Sequence, residues 1–486
     1  MTANPAHPRW QRLEEAIDGH VVHDPEPTTF NARYHDVRPR AVVRCASPED
    51  VVATLAFLRE HDLPLVPRSG GHCFAGHSSS PGVVVDVTPM DHIRPLRLVQ
   101  PHGDLVAIGA GARLGAVYER LGADGRAVPA GTCPTVGIAG LALAGGLGVL
   151  GRRYGLTSDR MVAAQVVLAD GSIVTCDEDH ETDLFWALRG AGANNFGVVT
   201  SFVFRTVPAP HAVDFHLAWD LDRAADVAEA WQGWGPSGPD ELAASLKLIA
   251  TGDPDRPPTV NVYGTLQIGD ADRSGVDVID DLRRRIGAEP VWQWTQALPF
   301  AETRRFWAQL PPPGTTFRDL AVGPADPADP AAEAHPWLVA RSEFFRRPLP
   351  TDTVATLLDG FTEGRRPGEE RELDFMPWGG AYNRVAADAT AFVHRDEMFQ
   401  LKHSATVHAD APTQAKDAAH EFVRRSWETV HPWGSGGVFP AFPDRDLAEP
   451  AEAYYGSNLS RLRTIKARYD PDDVFHPPTG HVGLPG

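Results

Sequence analysis

The chain has 486 residues, of which 42% are hydrophobic, 22% charged and 8% aromatic. That is an ordinary globular balance with room for two or three domains of about 150 residues each. Lys and Arg number 45 against 64 Asp and Glu, a formal charge of −19, so phosphate backbones are repelled and nucleic acid is not expected as a partner. No run of about 20 apolar residues exists to cross a membrane. The opening MTANPAHPRWQRLEEAIDGH has no apolar stretch after a basic start, so no secretory signal is read and a cytoplasmic location is expected.

Short apolar runs recur through the first 208 residues: Ala41–Val43, Leu63–Val66, Val83–Val87, Leu105–Ile108, Ala163–Leu168 and Gly197–Phe204. Each is bounded by Gly, Pro, Asp or Ser and reads as a strand. Between the first two, Ser47 and Pro48 open a helix with Val51, Leu55 and Leu58 on one face. Pro208 and Pro210 mark a boundary. Beyond it, alternating segments such as DFHLAWDL, ASLKLIAT and TVNVYGTLQIG predict an antiparallel sheet. Helices are expected at Gly275–Ile286, Thr351–Phe361 and Thr413–Val430, and an exposed loop at Gly323–Pro336. In the tail, Asn458 to Tyr469 predicts a helix with Leu459, Leu462 and Ile465 on one face, ended by Asp470-Pro471 and able to dock on the first part of the chain.

The four cysteines, Cys45, Cys73, Cys133 and Cys176, are too sparse for a disulfide framework and wrongly spaced for a zinc ribbon. His72, Cys73 and His77 cluster without a second set of ligands, so no metal is expected. Gly109 to Gly115 follows a strand with spacing G-x-G-x-x-x-G. A dinucleotide site would need a second strand ending in an acidic residue about 20 positions later. The turn-rich GADGRAVPAGTCP stands there instead, so a strand packed closely on a short helix is favoured. A better cradle is Pro67 to Met90, where glycines 70, 71 and 76 let backbone N–H groups approach a ligand. A second small-residue stretch runs from Ala130 to Gly155, suited to a flat ligand or to tight helix–sheet packing. Each stretch carries a nucleophile, His72 in one and Cys133 in the other.

These stretches, with HETDLFWALRGAGANNFGVVTSFVF and AYYGSNLSRLRTIKARYDPDDVF, resemble the berberine bridge enzyme-like flavin oxidases of the vanillyl alcohol oxidase/p-cresol methylhydroxylase superfamily. The motifs keep that family's order from about residue 30 to 478; the region 209–370 matches by position and texture only. The resemblance implies an α+β fold: a two-part FAD-binding domain of the p-cresol methylhydroxylase type, with an inserted antiparallel-sheet substrate domain covered by helices. Residues 1–208 and 446–486 would form the first and 209–445 the second.

It further implies FAD bonded at its 8α-methyl carbon to His72 and, in the bicovalent subset, at C6 to Cys133. Arg68, Ser69, Gly70, Gly71, His77 and Ser78 would surround the pyrophosphate. Gly137, Gly140, Gly145, Gly146, Tyr154, Gly155 and Asp159 would line the flavin and its adenosine side, with Gly197, Val198 and Val199 completing the site. Asn458 would reach toward the isoalloxazine, and Val136 holds the position that gates oxygen. One departure is Ala144 in AGGLG, where many members have glycine.

Alcohol oxidation by flavin needs a base over the ring for the hydroxyl proton. Tyr454 is expected in that role with Tyr382 assisting; Tyr455 is the further candidate. Asp374, in RELDFMPW, is a candidate to bind substrate hydroxyls or modulate the tyrosine. Ten of the twelve tryptophans fall between Trp219 and Trp433 and could stack on a sugar or polycycle or build core. The expected activity is oxidation of a sugar, glycoside or secondary-metabolite hydroxyl, with O2 reduced to H2O2. An oxidative cyclase, a dehydrogenase and a catalytically idle flavin-binding protein are the alternatives. The oligomeric state is not legible.

Overall fold

The structure, a computed structural model, describes residues 10–26, 28–96, 104–253, 255–268, 275–299, 303, 336–477 and 482–485. All but the last residue of the expected loop Gly323–Pro336 lies outside them. The valine-rich runs become a four-stranded sheet of β1 (His20–His23), β2 (Ala41–Arg44), β3 (Leu65–Arg68) and β4 (Val83–Asp86), in the order β1-β2-β4-β3. β4 runs parallel to both β2 and β3, and Val83, Val84 and Val85 are fully buried, as a sheet covered on both faces requires. The helix Pro48–Glu60 carries the chain from β2 to β3, and the Ser47 hydroxyl accepts from the Asp50 N–H at 3.1 Å.

A second, antiparallel sheet has the order β5-β6-β10-β8-β9: β5 (Ile93–Leu96), β6 (Leu105–Gly109), β8 (Met161–Val167), β9 (Ile173–Asp177) and β10 (Val198–Arg205). Short β7 (Arg126–Ala127) pairs with β11 (Val207–Pro208). The Gly109–Gly115 stretch is the turn between β6 and the helix Leu114–Gly122.

The third sheet has seven antiparallel strands in the order β15-β12-β14-β13-β17-β18-β16: β12 (His211–Asp220), β13 (Leu242–Thr251), β14 (Thr259–Ile268), β15 (Trp292–Pro299), β16 (Trp337–Phe345), β17 (Glu369–Pro377) and β18 (Phe399–Val407). Its side chains alternate with period two. One face carries Phe215, Leu217, Leu246, Leu248, Val262, Leu373, Phe375 and Leu401 into a core shared with the helices Ala224–Trp234, Gly275–Ile286, Thr351–Thr362 and Thr413–Val430. The other face carries Ser245, Lys247, Asn261, Tyr263, Glu372, Asp374, Gln400 and Lys402.

The first two sheets share a separate core, and the tail joins it. Tyr454, Tyr455, Leu459, Leu462, Ile465 and Tyr469 all pack there. The buried Lys466 ammonium anchors the tail by donating to Asp470 Oδ2 at 2.6 Å, to Asn195 O at 2.9 Å and to Phe475 O. Between the two cores lies a small aromatic cluster of Leu156, Phe344, Trp378, Tyr382, Phe392 and Phe439. No helix among the described residues is long and apolar enough to cross a membrane.

Burial keeps three histidines neutral: His216 is pushed down to about 4, and His394 and His403 to about 3. The unfolded chain binds protons at these positions near pH 6.5 and the folded chain refuses them, so they favour folding above that pH and oppose it increasingly below. Each costs up to about 1.4 kcal/mol per pH unit below 6.5. Glu343, Glu397 and Asp444, held above the usual carboxylate range by burial, act in the opposite sense nearer their own titration. The melting temperature is therefore expected to fall between pH 7 and pH 5.5. A flat profile there, measured by circular dichroism, would contradict neutral burial of these imidazoles.

Candidate functional site

A cavity of about 600 Å3 opens between the two glycine-rich stretches, the polar face of the large sheet and the tail. β3 ends at Arg68, and the loop that leaves it puts Ser69, Gly70, Gly71, His72, His77 and Ser78 on the wall. The second stretch adds Cys133, Val136, Gly137, Gly140 and Gly146, and the approach to β10 adds Gly197, Val198 and Val199. His72 and Cys133, 61 positions apart in the sequence, thus share one cavity.

What brings them together is contact between backbones. A Cβ on Gly70 would lie 2.2 Å from the Gly137 nitrogen, and one on Gly137 would lie 2.2 Å from Ser69 Oγ. The Ser69 hydroxyl donates to Ala110 O at 2.8 Å, pinning the same crossing to the turn after β6. Arg68 is buried with its charge matched by Asp86, directly opposite in the β3–β4 register and 2.8 Å away. Burial, with the Arg445 guanidinium nearby, pushes His77 down to about 4, so its ring is neutral. Cys133 Sγ lies 3.4 Å from the Thr135 hydroxyl.

The three candidate tyrosines all reach the wall, and backbone groups hold each hydroxyl. Tyr454 Oη accepts from the Asp444 N–H at 2.8 Å. Tyr455 donates to Ala191 O at 2.8 Å. Tyr382 donates to Gly148 O at 3.0 Å and accepts from Gly148 N–H at 3.2 Å, its ring stacked on Trp378 at 4.4 Å. Burial pushes all three phenols up, Tyr382 to about 12 against the pull of Gly148 and Arg152.

Five expected site residues do not line this cavity. Gly145 and Gly155, with φ of 105° and 92°, make backbone turns behind the wall. Tyr154 lies beside Gly155 and packs against the first core. The Asp159 carboxylate is taken by Arg395, at 2.6 and 2.9 Å, and by the Leu156 N–H at 2.8 Å. The Asn458 amide donates to Ala387 O at 2.7 Å and Thr390 O at 3.1 Å, tying the tail to a neighbouring loop.

Asp374 does reach the cavity, inside a charge cluster that motif reading passed over. Lys247, Asp374 and Lys402 stand opposite one another across β13, β17 and β18. Both ammoniums are 3.0 Å from Glu372 but 3.5 and 3.6 Å from Asp374 Oδ2. Asp374 Oδ1 is buried with no hydrogen-bond partner. Burial would lower the Lys247 pKa, but Asp374 and Glu372 more than offset it and hold it well above the usual value. The two lysines likewise hold Glu372 down at about 2, so Lys247 and Glu372 stay charged at neutral pH. Tyr263, on β14, also lines this end. The only sequence signal was the alternation of β13, β17 and β18. Of the tryptophans among the described residues, only Trp378 lines the cavity; Trp219, Trp231 and Trp234 build the second core.

Arg152 was also missed. Its buried guanidinium donates to Pro236 O at 2.9 Å, Gly238 O at 2.8 Å and Trp378 O, joining the second glycine stretch to two loops of the large-sheet half. Elsewhere on the wall, Ser78 Oγ and both ends of the Asn194 amide are buried without a partner. Unmatched buried polar atoms are costly and point to a ligand with polar groups along this surface. Glycine-lined walls, a nucleophile on each loop and these unmatched atoms fit FAD.

Residues 39–177 match the family model for an FAD binding domain, and residues 438–480 the one described as berberine and berberine like. An uncharacterized FAD-linked oxidoreductase, YvdP, of Bacillus subtilis (strain 168) is 30% identical over 449 residues, covering 92% of each chain. The chitooligosaccharide oxidase of Gibberella zeae is 29% identical over 466 residues, covering 93% of this chain and 88% of that one. Among solved structures, a variant of BBE-like 1 of Physcomitrella patens superposes with a TM-score of 0.85 at 25% identity, covering 98% of this chain and 99% of its own. The xylooligosaccharide oxidase from Myceliophthora thermophila C1 in complex with xylobiose gives 0.81 at 25% identity with the same coverage.

The loop crossing makes a sharp prediction. Gly70→Ala forces a methyl into the Gly137 backbone and is expected to cost about 3 kcal/mol or more. Gly360→Ala, in the helix Thr351–Thr362 away from the cavity and with nothing within 4 Å of its Cβ, is expected to be level or to gain up to about 1 kcal/mol. Denaturant unfolding of the two variants checks the contrast.

Proposed function

The chain belongs to the berberine bridge enzyme-like family of FAD-linked oxidoreductases, and from that premise we propose an oxidase whose FAD is attached through both His72 and Cys133. The observation that carries this reading is that both nucleophiles line the same cavity, on loops that touch backbone to backbone. FAD, when bound, supplies the acceptor for a hydride from the substrate carbon and hands the electrons to dioxygen. Val136 lines the cavity beside Cys133, and a small side chain there leaves oxygen a path.

The substrate is an alcohol, in a sugar, a glycoside or a related metabolite. Two of the relatives carry oligosaccharides in their names. In this chain the support is chemical: Asp374 Oδ1 lacks a donor, and the Lys247 and Lys402 ammoniums stand beside the same carboxylate. A hydroxyl donates to the one and accepts from the others. Tyr454 takes the hydroxyl proton of the reacting carbon. The Asp444 N–H on its oxygen favours the phenolate, burial opposes it, and burial wins. Tyr382, held in the aromatic cluster, keeps the wall rigid.

The visible spectrum before and after acid precipitation, with intact mass, tests the cofactor. Wild type is expected to give a yellow pellet and the added mass of one FAD, and His72→Ala and Cys133→Ala one remaining bond each. Release of all flavin into the supernatant would overturn double attachment.

Tyr454→Phe is expected to slow flavin reduction by about 10²–10⁴-fold, as loss of a general base does. Since the base acts deprotonated and its phenol is pushed up, the wild-type reduction rate should climb with pH beyond 9. A rate independent of pH from 6 to 10 would exclude Tyr454. Asp374→Asn and Lys402→Met are expected to raise KM at least tenfold with the flavin spectrum unchanged.

A further inference from the structure

The imidazole of His72 is not left to rotate. The ring of Phe30 stacks on it with centroids 4.9 Å apart and planes 19° from parallel. Both rings line the cavity. Phe30 is held on both sides. Its N–H donates to Gly71 O at 3.1 Å, so it is hydrogen-bonded to the residue before His72. The next residue, Asn31, is 1% exposed, and its amide spans two parts of the molecule. It donates to Phe74 O at 3.0 Å on the His72 loop and to Leu338 O at 2.9 Å on β16, and it accepts from Leu338 N–H at 3.0 Å. Phe74 lies tilted against Phe30 at 6.0 Å and stacks on Phe442 at 5.1 Å.

An imidazole nitrogen attacks along its lone pair, which lies in the ring plane. Bond formation to a methyl carbon therefore needs the ring edge, not its face, turned toward that carbon, and a freely turning ring spends little time so aligned. We propose that Phe30 is a positioning residue for covalent attachment at His72: by stacking on the imidazole, it turns a ring nitrogen into the cavity. This rests on the reading that His72 bonds the flavin. In that step a bond forms between the ring nitrogen and the 8α-methyl carbon, and the carbon and the imidazole each lose a proton. The two electrons left on the flavin pass with two protons to dioxygen, giving hydrogen peroxide.

Phe30→Leu stays apolar but is somewhat smaller and removes the flat face; Phe30→Tyr keeps the face. Each protein is purified at successive times after induction, its melting temperature is measured, and the peptides containing His72 and Cys133 are mapped by mass for attached FAD. Phe30→Leu is expected to accumulate the His72 adduct at least tenfold more slowly than wild type, with the Cys133 adduct unchanged and Phe30→Tyr restoring the rate. Should Phe30→Leu not be recovered folded, Phe30→Met takes its place, with the same expectation.

Equal His72 attachment in Phe30→Leu and wild type would overturn the proposal while leaving covalent flavin intact. Parallel loss of both adducts would also overturn it, since that is failure of cofactor binding rather than of ring orientation. Wild type without a His72 adduct would remove the reading on which the proposal rests.

Discussion

Everything at the site depends on two loops meeting where no side chain fits. Gly70 and Gly137 approach until an added Cβ on either would overlap the other's backbone. Glycine is required here for closeness rather than for an unusual dihedral angle, since neither residue has positive φ. The crossing sits at the end of β3, so the rigidity of a buried parallel ladder reaches His72 within four residues. On the other side it reaches Cys133 through a segment whose small side chains can lie flat against a cavity. A methyl group at either glycine would push apart the two nucleophiles that a single ligand has to meet.

The cavity has a second wall made on different terms. The seven-stranded sheet buries one face in hydrocarbon and turns the other toward the loops, so its inward residues are free to be polar. Four charged side chains gather there, each cation with an anion within 3.6 Å. Such a cluster contributes little net stability after desolvation. What it supplies is a fixed set of donors, with one carboxylate oxygen unmatched. Among the contacts that hold the two walls in register are Arg152 donating to backbone carbonyls, Asn31 bridging the His72 loop to β16, and the aromatic cluster around Trp378. The Lys466 anchor does the same for the tail, which brings Tyr454 and Tyr455 to the wall.

Much of this was legible from residues close together in the chain. The strand-like runs, the helix capped by Ser47, the antiparallel texture after Pro208 and the docking tail helix all appear where the pattern put them. His72 and Cys133 stood out because each sits inside its own glycine stretch. The charge cluster did not stand out, because Lys247, Asp374 and Lys402 are scattered over more than 150 positions and meet only through the strand order β13-β17-β18. Asp159 and Asn458 read as ligand contacts from their motif positions, yet Arg395 and the carbonyls of Ala387 and Thr390 occupy them. A tryptophan-rich region suggested stacking platforms; Trp219, Trp231 and Trp234 instead fill the face of the sheet turned away from the site.

By itself the sequence determined the class of fold, the two nucleophile-bearing loops and the family to which they belong. These are properties of local spacing: period-two burial, glycine where backbones must approach, a helix cap in the right place. The tertiary structure alone decided which tyrosine hydroxyls are tied to backbone, which carboxylates are already paired and which polar atoms are left without a partner. Hydrogen-bond saturation is settled by neighbours distant in the chain. A residue type shows what a side chain can donate or accept, and only the packed molecule shows what remains for a ligand.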